Sequence, residues 1–174
     1  MRDEGLLRVA SLGEMGTLTS IDDDALQHYP TEGLVIDLTA DHPFAIAEQA
    51  RWSRALAMGD VWFSLEGGVP VGVAVLGTLD GDPYLDQLSV RRSAMGRGHG
   101  SRLVAHALAW ARARSHGGLW LNTYGHLSWN RPFYERRGFR VVPEREWRAE
   151  MRAVVEAQRA CLPRPEERVV MWQP

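Results

Sequence analysis

The 174-residue chain contains no lysine, and all 20 of its basic residues are arginine. Without a lysine amine there is no Schiff base to a carbonyl substrate or to pyridoxal phosphate, and no phosphate-binding lysine of a P-loop. The single cysteine, Cys161, cannot close an internal disulfide, which points to a reducing compartment. The longest apolar run, residues 71–79, is far shorter than the roughly 20 residues needed to cross a bilayer. The opening Met1-Arg2-Asp3-Glu4 has no apolar core of a signal peptide, so a cytoplasmic protein with no membrane partner is expected. His28, His42, His99, His106, His116 and His126 show no metal-ligand spacing, and no Cys-x-x-Cys occurs, so no metal is expected. His99 and His106 are read as helix-surface or loop residues. What is present, 45% hydrophobic and 24% charged residues, suits one soluble domain spanning 1–174 and excludes disorder, collagen and coiled coil.

Carboxylates are missing from one long stretch. Residues 1–86 hold 15 acids and 4 arginines, residues 87–134 hold 7 arginines and no acid, and residues 135–174 hold 9 arginines and 7 acids. The acid-free stretch implies an anionic ligand for the middle of the chain. The formal net charge of −2 argues against nucleic acid as a partner.

The residue pattern predicts an α/β chain on one mixed sheet. Residues 5–10 read as a strand, and Asp22, Asp23 and Asp24 as the start of a short helix. Residues 43–58 read as a helix that opens on Pro43 and closes at Gly59. Strands 61–65 and 69–76 flank Gly67-Gly68, a hairpin signal. Asp80-Gly81-Asp82 turns the chain into a strand from 84 to 90. The period then changes to 3.6 for a helix over 101–115. A strand over 119–124, a short helix over 129–137 and a strand over 140–142 follow. A helix over 144–161, with Trp147, Met151, Val154 and Val155 on its apolar side, precedes a last strand over 168–172.

The most informative segment runs from Asp86 to Ser101. A strand enters a loop with glycine at 96, 98 and 100, and the loop opens a helix. Glycines let successive N–H groups point into one hollow, and the helix end adds its own free N–H groups, so the segment is suited to phosphate. Arg91, Arg92 and Arg97 add charge beside it. A dinucleotide site is disfavoured: the spacing is G-x-G-x-G, and no acid follows until Glu135.

Met95-Gly96-Arg97-Gly98-His99-Gly100 resembles the Gln/Arg-x-x-Gly-x-Gly/Ala signature of the GNAT superfamily of acetyl-coenzyme A-dependent N-acetyltransferases. Methionine at the first position removes one side-chain contact and leaves the backbone cradle. Downstream, residues 130–139 resemble the family's second landmark, with Asn130 and Tyr134 on a short helix closed by Gly138-Phe139. The resemblance spans about residues 60–142. It implies the GNAT fold, a mostly antiparallel mixed sheet of about seven strands flanked by helices.

The resemblance further implies acetyl-CoA as co-substrate. Its pyrophosphate would rest on the backbone of Met95, Gly96, Arg97, Gly98, His99, Gly100 and Ser101, and its pantetheine arm along Leu88, Ser89 and Val90, with Asn130 and Tyr134 also in contact. Tyr134 would be the acid that protonates the departing thiolate. Asp86 would be the general base or an ammonium-binding group, and strand alternation is expected to put Tyr84, Asp86 and Leu88 on one face. The expected acceptor is a small primary amine of the antibiotic, amino-acid-analogue or polyamine kind, and because early helices wall the acceptor site in that family, the acidic first part favours a cationic one. A protein N-terminus, or CoA sensing without turnover, remains as an alternative. Trp129 is a candidate for the acceptor wall. Helix 144–161 is expected to cover the acceptor site or to form a homodimer contact.

Overall fold

The computed structural model describes residues 6–114 and 117–174. The opening Met1-Arg2-Asp3-Glu4, and Ser115 and His116 at the expected helix end, lie outside them. Seven strands form one sheet in the order β1-β2-β3-β4-β5-β7-β6. They are β1 (Leu7–Val9), β2 (Val61–Glu66), β3 (Val69–Leu79), β4 (Asp82–Val90), β5 (Leu119–Tyr124), β6 (Arg140–Val142) and β7 (Arg168–Gln173). The helices are α1 (Met15–Leu26), α2 (Pro43–Met58), α3 (His99–Arg114), α4 (Arg131–Glu135) and α5 (Ala149–Cys161). Every pairing is antiparallel except β4 with β5.

Local chemistry explains most of these boundaries. Gly67 and Gly68 (φ 57° and 82°), and then Asp80 and Gly81 (φ 54° and 81°), supply the two left-handed residues of a tight hairpin turn. In α2, the His42 ring accepts the Phe44 N–H at 3.1 Å and Gly59 takes the left-handed position past the end.

Two helices differ from the expectation. The Asp22-Asp23-Asp24 run closes α1 instead of opening a helix. Three carboxylates at a helix C-terminus oppose its dipole, and tertiary contacts offset the cost. Asp24 accepts the Arg92 N–H at 2.8 Å, and Asp22 accepts from Ser89 and Gln87. At the other end of the chain, residues 144–146 form a single 3-10 turn and α5 begins only at Ala149. Trp147 is extended, with its indole N–H on the Val142 carbonyl. Asp80, in the distant β3–β4 turn, supplies the α5 cap by accepting the Glu150 and Met151 N–H groups at 3.0 and 3.1 Å, and Glu150 accepts the Asp80 N–H in return.

The helices cover both faces of the sheet. On one face, α3 buries Leu103, Val104 and Ala107 against Ala74, Leu76, Leu85 and Leu121. On the other, α1 and α2 bury Leu18, Ile21 and Trp52 against Phe63, Val73 and Val75. Further along that second face, α5 packs Met151 and Val155 on Tyr84 and Val170.

The Asp80→Ala variant loses the α5 cap and puts a Cβ-bearing residue without polar anchors at φ 54°. It is expected to lose about 1–2 kcal/mol, read from the urea unfolding midpoint.

Candidate functional site

The site begins with a break in the sheet. β4 and β5 pair only at Tyr84 opposite Trp120, and no ladder joins them beyond that point among the described residues. A bulge drives the parting. Val75 faces Gln87 while Leu76 faces Leu85, so Asp86 is the extra residue of β4. The bulge also overturns the expected alternation. Leu88 packs with the α3-side core, whereas Asp86 reaches Arg51 of α2 on the opposite face.

A cavity of about 510 Å³ fills the gap. Residues 87–90 of β4 form one wall, and Trp129, Asn130, Phe133, Tyr134 and Arg137 form another. The loop before α3 forms the floor, and Asp22, His28 and Tyr29 form the roof. Loop and helix together present a run of free donors. The first N–H to find a helical acceptor is that of Arg102, on Gly98 O at 3.0 Å. Among the described residues, none of the N–H groups of residues 96–101 donates within the chain. Gly96 and Gly98, at φ 76° and 87°, turn them toward the cavity floor. The Asn130 side-chain nitrogen is buried without a partner, and this residue caps no helix with its side chain. An anion with an extended polar arm suits these donors.

The arginines beside the loop are engaged elsewhere. Arg97 binds Glu66 at 2.5 Å, Arg92 binds Asp24 at 3.2 Å, and Arg91 donates to Ser20. These arginines of the acid-poor middle thus bond to the acid-rich first part, so their side chains are engaged away from the cavity. One guanidinium does line the cavity: Arg137 stacks 3.6 Å from the Phe133 ring centroid and donates to Ser101. His99 is also corrected. It is 5% exposed, with Nδ1 2.8 Å from Ser64 Oγ, and burial pulls its pKa down. Only its main chain faces the cradle residues. His106 is half-buried against the Trp62 ring, 4.0 Å between centroids.

Tyr134 is 7% exposed and lines the cavity, and burial pushes its pKa well above the usual phenol value. Asp86 accepts from the Arg51 side chain at 2.9 and 3.3 Å and is absent from the cavity wall. Trp129 is in the wall, 4.3 Å from the His28 ring. His126 lies against Tyr124, outside that wall.

Sequence reading missed several neighbours. Asp22 accepts from Ser89 and Gln87 at 2.6 Å each, and burial pushes its pKa up to about 6. Burial and the Asp22 and Asp86 carboxylates push Glu48 up to about 7. Tyr29 and Arg168 are brought in by a loop and by the start of β7. No periodicity marks them, because their position depends on contacts made across the sheet.

Because the folded-state pKa of Asp22 is raised from 3.8 to about 6, the native chain keeps a proton that the unfolded chain has released. That costs native stability as pH climbs from about 4 to 6. Relative to Asp22→Asn, the parent protein should lose about 2–3 kcal/mol across this window, measured as the difference in urea midpoints.

The sequence model of the acetyltransferase (GNAT) family matches residues 23–139, more than half of the chain. Solved structures share the fold at low identity. Ribosomal-protein-alanine N-acetyltransferase from Brucella melitensis superposes with TM-score 0.64 at 18% identity, covering 95% of this chain and 97% of that one. Rv2747 from Mycobacterium tuberculosis, solved in complex with CoA, gives TM-score 0.67 at 16% identity over 97% and 98%. N-acetylglutamate synthase from Neisseria gonorrhoeae, complexed with coenzyme A and N-acetyl-glutamate, gives TM-score 0.65 at 15% identity, and the present chain, covered over 96%, spans only 34% of its length. A parted β4–β5 pair, a glycine loop whose free amides open α3, and the family match over residues 23–139 lead to one statement: this chain belongs to the acetyltransferase (GNAT) family.

Proposed function

We propose that the protein transfers the acetyl group of acetyl-CoA to the primary amine of a small molecule by direct attack, without a covalent enzyme intermediate. The observation that carries this reading is the run of free N–H groups over residues 96–101, which opens into the cavity between β4 and α4. When bound, acetyl-CoA supplies an activated thioester and takes away a thiolate.

The chain's own groups divide the remaining work. The N–H groups of Gly96, Arg97, Gly98, His99, Gly100 and Ser101 hold the pyrophosphate, with the α3 dipole behind them. Met95 contributes backbone and an apolar contact only. Arg137, beside Ser101, is the cavity cation available to a phosphate oxygen. The edge of β4 at Leu88, Ser89 and Val90, which β5 does not pair, receives the pantetheine amides, and its N–H groups polarise the thioester carbonyl. The Asn130 amide satisfies its buried nitrogen on the same ligand.

Tyr134 remains a neutral phenol at physiological pH because burial raises its pKa, so it holds a proton ready for the departing sulfur. The same dry cavity raises the proton affinity of that sulfur, which favours the transfer. Asp86, tied to Arg51, serves to hold an incoming ammonium electrostatically rather than to accept its proton. The bulge that frees the β4 edge leaves Asp86 on the α2 face with Tyr84 and turns Leu88 to the α3 side.

Thiol release from acetyl-CoA in the presence of a panel of primary amines tests the reading, and absence of release with every amine would overturn it. Tyr134→Phe should lower kcat by about 100-fold with the affinity for CoA unchanged within about twofold. Gly98→Ala, strained at φ 87°, should weaken CoA binding measured by calorimetry.

A further inference from the structure

Among the described residues, one carboxylate and one guanidinium line the cavity, those of Asp22 and Arg137. Arg137 donates to Ser101 on the floor, beside the free N–H groups of the glycine loop. Asp22, near the C-terminal end of α1, is held against the β4 wall and is only 8% exposed. Ser89 Oγ and Gln87 Nε2 both donate to its Oδ1, at 2.6 Å each. Its Oδ2 accepts nothing among the described residues and, unlike the Asn130 side-chain nitrogen, is not sealed off. The second oxygen therefore opens on the cavity, beside the β4 edge that β5 leaves unpaired.

An acid at this place is not needed for packing. An amide oxygen would accept the same hydroxyl and amide donors without the cost of a buried charge. No group around Asp22 repays that cost. Asp23 on the same helix repels it, and Glu48 of α2 is a further acid within its field. Ser89 and Gln87 of β4 are neutral, and burial keeps the Tyr29 phenol of the next loop neutral too. Arg91 and Arg92, which follow β4, are engaged by Ser20 and Asp24. The cavity is the direction from which a cation can reach Asp22. The roof around it is flat and apolar: the His28 ring lies 4.3 Å from that of Trp129, and Tyr29 meets Trp129 edge-on at 6.2 Å.

We infer that Asp22 receives the ammonium of the acceptor and takes its proton, and that the acceptor is an amine without a carboxylate, its body lying on the His28–Trp129 pair. The inference rests on the acetyl-transfer reading, names its base and narrows its acceptor. Asp22 Oδ2 accepts one ammonium proton, and the freed lone pair attacks the thioester carbon. The C–N bond forms, the C–S bond breaks, and its electron pair leaves on sulfur, which takes the Tyr134 proton. The surplus proton on the new amide nitrogen restores the phenol through solvent, and Asp22 returns its own proton to solvent as product leaves. Burial, which pushes Asp22 up to about 6, makes it a stronger base than an exposed aspartate and leaves it mostly ionised at neutral pH. Asp86, off the wall and paired with Arg51, acts on the same ammonium only from a distance. A carboxylate beside the amine would face Asp22 with no arginine in the roof to bind it.

The test is thiol release from acetyl-CoA with amines set beside the amino acids that match them, such as tyramine with tyrosine, tryptamine with tryptophan and agmatine with arginine, followed from pH 5 to 9. The best amine should exceed its amino acid in kcat/KM by about 100-fold or more. Its kcat/KM should rise with pH through about 6, because protonated Asp22 neither attracts an ammonium nor takes its proton. Asp22→Asn should lower kcat about 100-fold and abolish that rise, with CoA affinity unchanged within about twofold as the check on folding. Asp22→Glu should restore part of the rate and the rise, and His28→Gln should keep the rise. A rise that survives Asp22→Asn or vanishes with His28→Gln, or amino acids that react as well as their amines, overturns the assignment and leaves acetyl transfer standing. No release with any amine overturns both.

Discussion

The parting of β4 from β5 is the constraint on which the rest of this molecule depends. Two parallel neighbours would ordinarily exchange hydrogen bonds along their whole overlap. Here they meet only at Tyr84 and Trp120, because the extra residue at Asp86 changes the register and the course of β4. An unpaired strand edge is normally a liability. Enclosed by α3, α4 and the loop that carries Tyr29, it becomes instead a row of donors and acceptors facing a cavity of about 510 Å³. The same break puts the N-terminus of α3 at the end of β4 and Tyr134 across from it. One irregularity thus yields the open backbone edge and the cavity beside it.

Electrostatics divides between surface and interior. Arg92 and Arg97 beside the glycine loop, and Arg114 at the end of α3, are paired at the surface with Asp24, Glu66 and Asp60, bonds that contribute at most about 1 kcal/mol each. Those pairs orient the loop and α3 against the first third of the chain, and they leave anion binding chiefly to main-chain N–H groups. The interior follows other rules. Asp22 and Glu48 are pushed up by burial, and Arg168 is pushed down by it. Of these, Asp22 lines the cavity, held there by Ser89 and Gln87.

The elements legible from residue order were those whose signal is local. Helix α2 starts at Pro43 and ends before Gly59, as its own capping residues dictate. The Gly67-Gly68 and Asp80-Gly81 turns fix two hairpins through their φ angles alone. The glycine loop before α3 was legible for the same reason, since its left-handed positions at Gly96 and Gly98 call for glycine, whereas Asn130 and Tyr134 stood out only through the family resemblance. The α1 helix was misread because Asp22 and Asp24 owe their places to Ser89, Gln87 and Arg92, more than sixty residues away. The α5 helix was drawn too long because its cap, Asp80, lies on a different turn of the chain.

What the amino-acid order settles by itself is the family, the sheet-and-helix alternation and the glycine loop before α3, because each is written in short-range spacing of glycine, proline and apolar residues. Which charges stay unmatched was decided only by folding. A bulge at Asp86 can turn Leu88 from one face to the other, and an ion pair with Arg51 can occupy Asp86, without leaving any mark in the local pattern. Arg168 of β7 reaches Asn122 of β5 and Gln158 of α5, elements that no periodicity connects, since burial and pairing are properties of the packed chain and not of its neighbours in sequence.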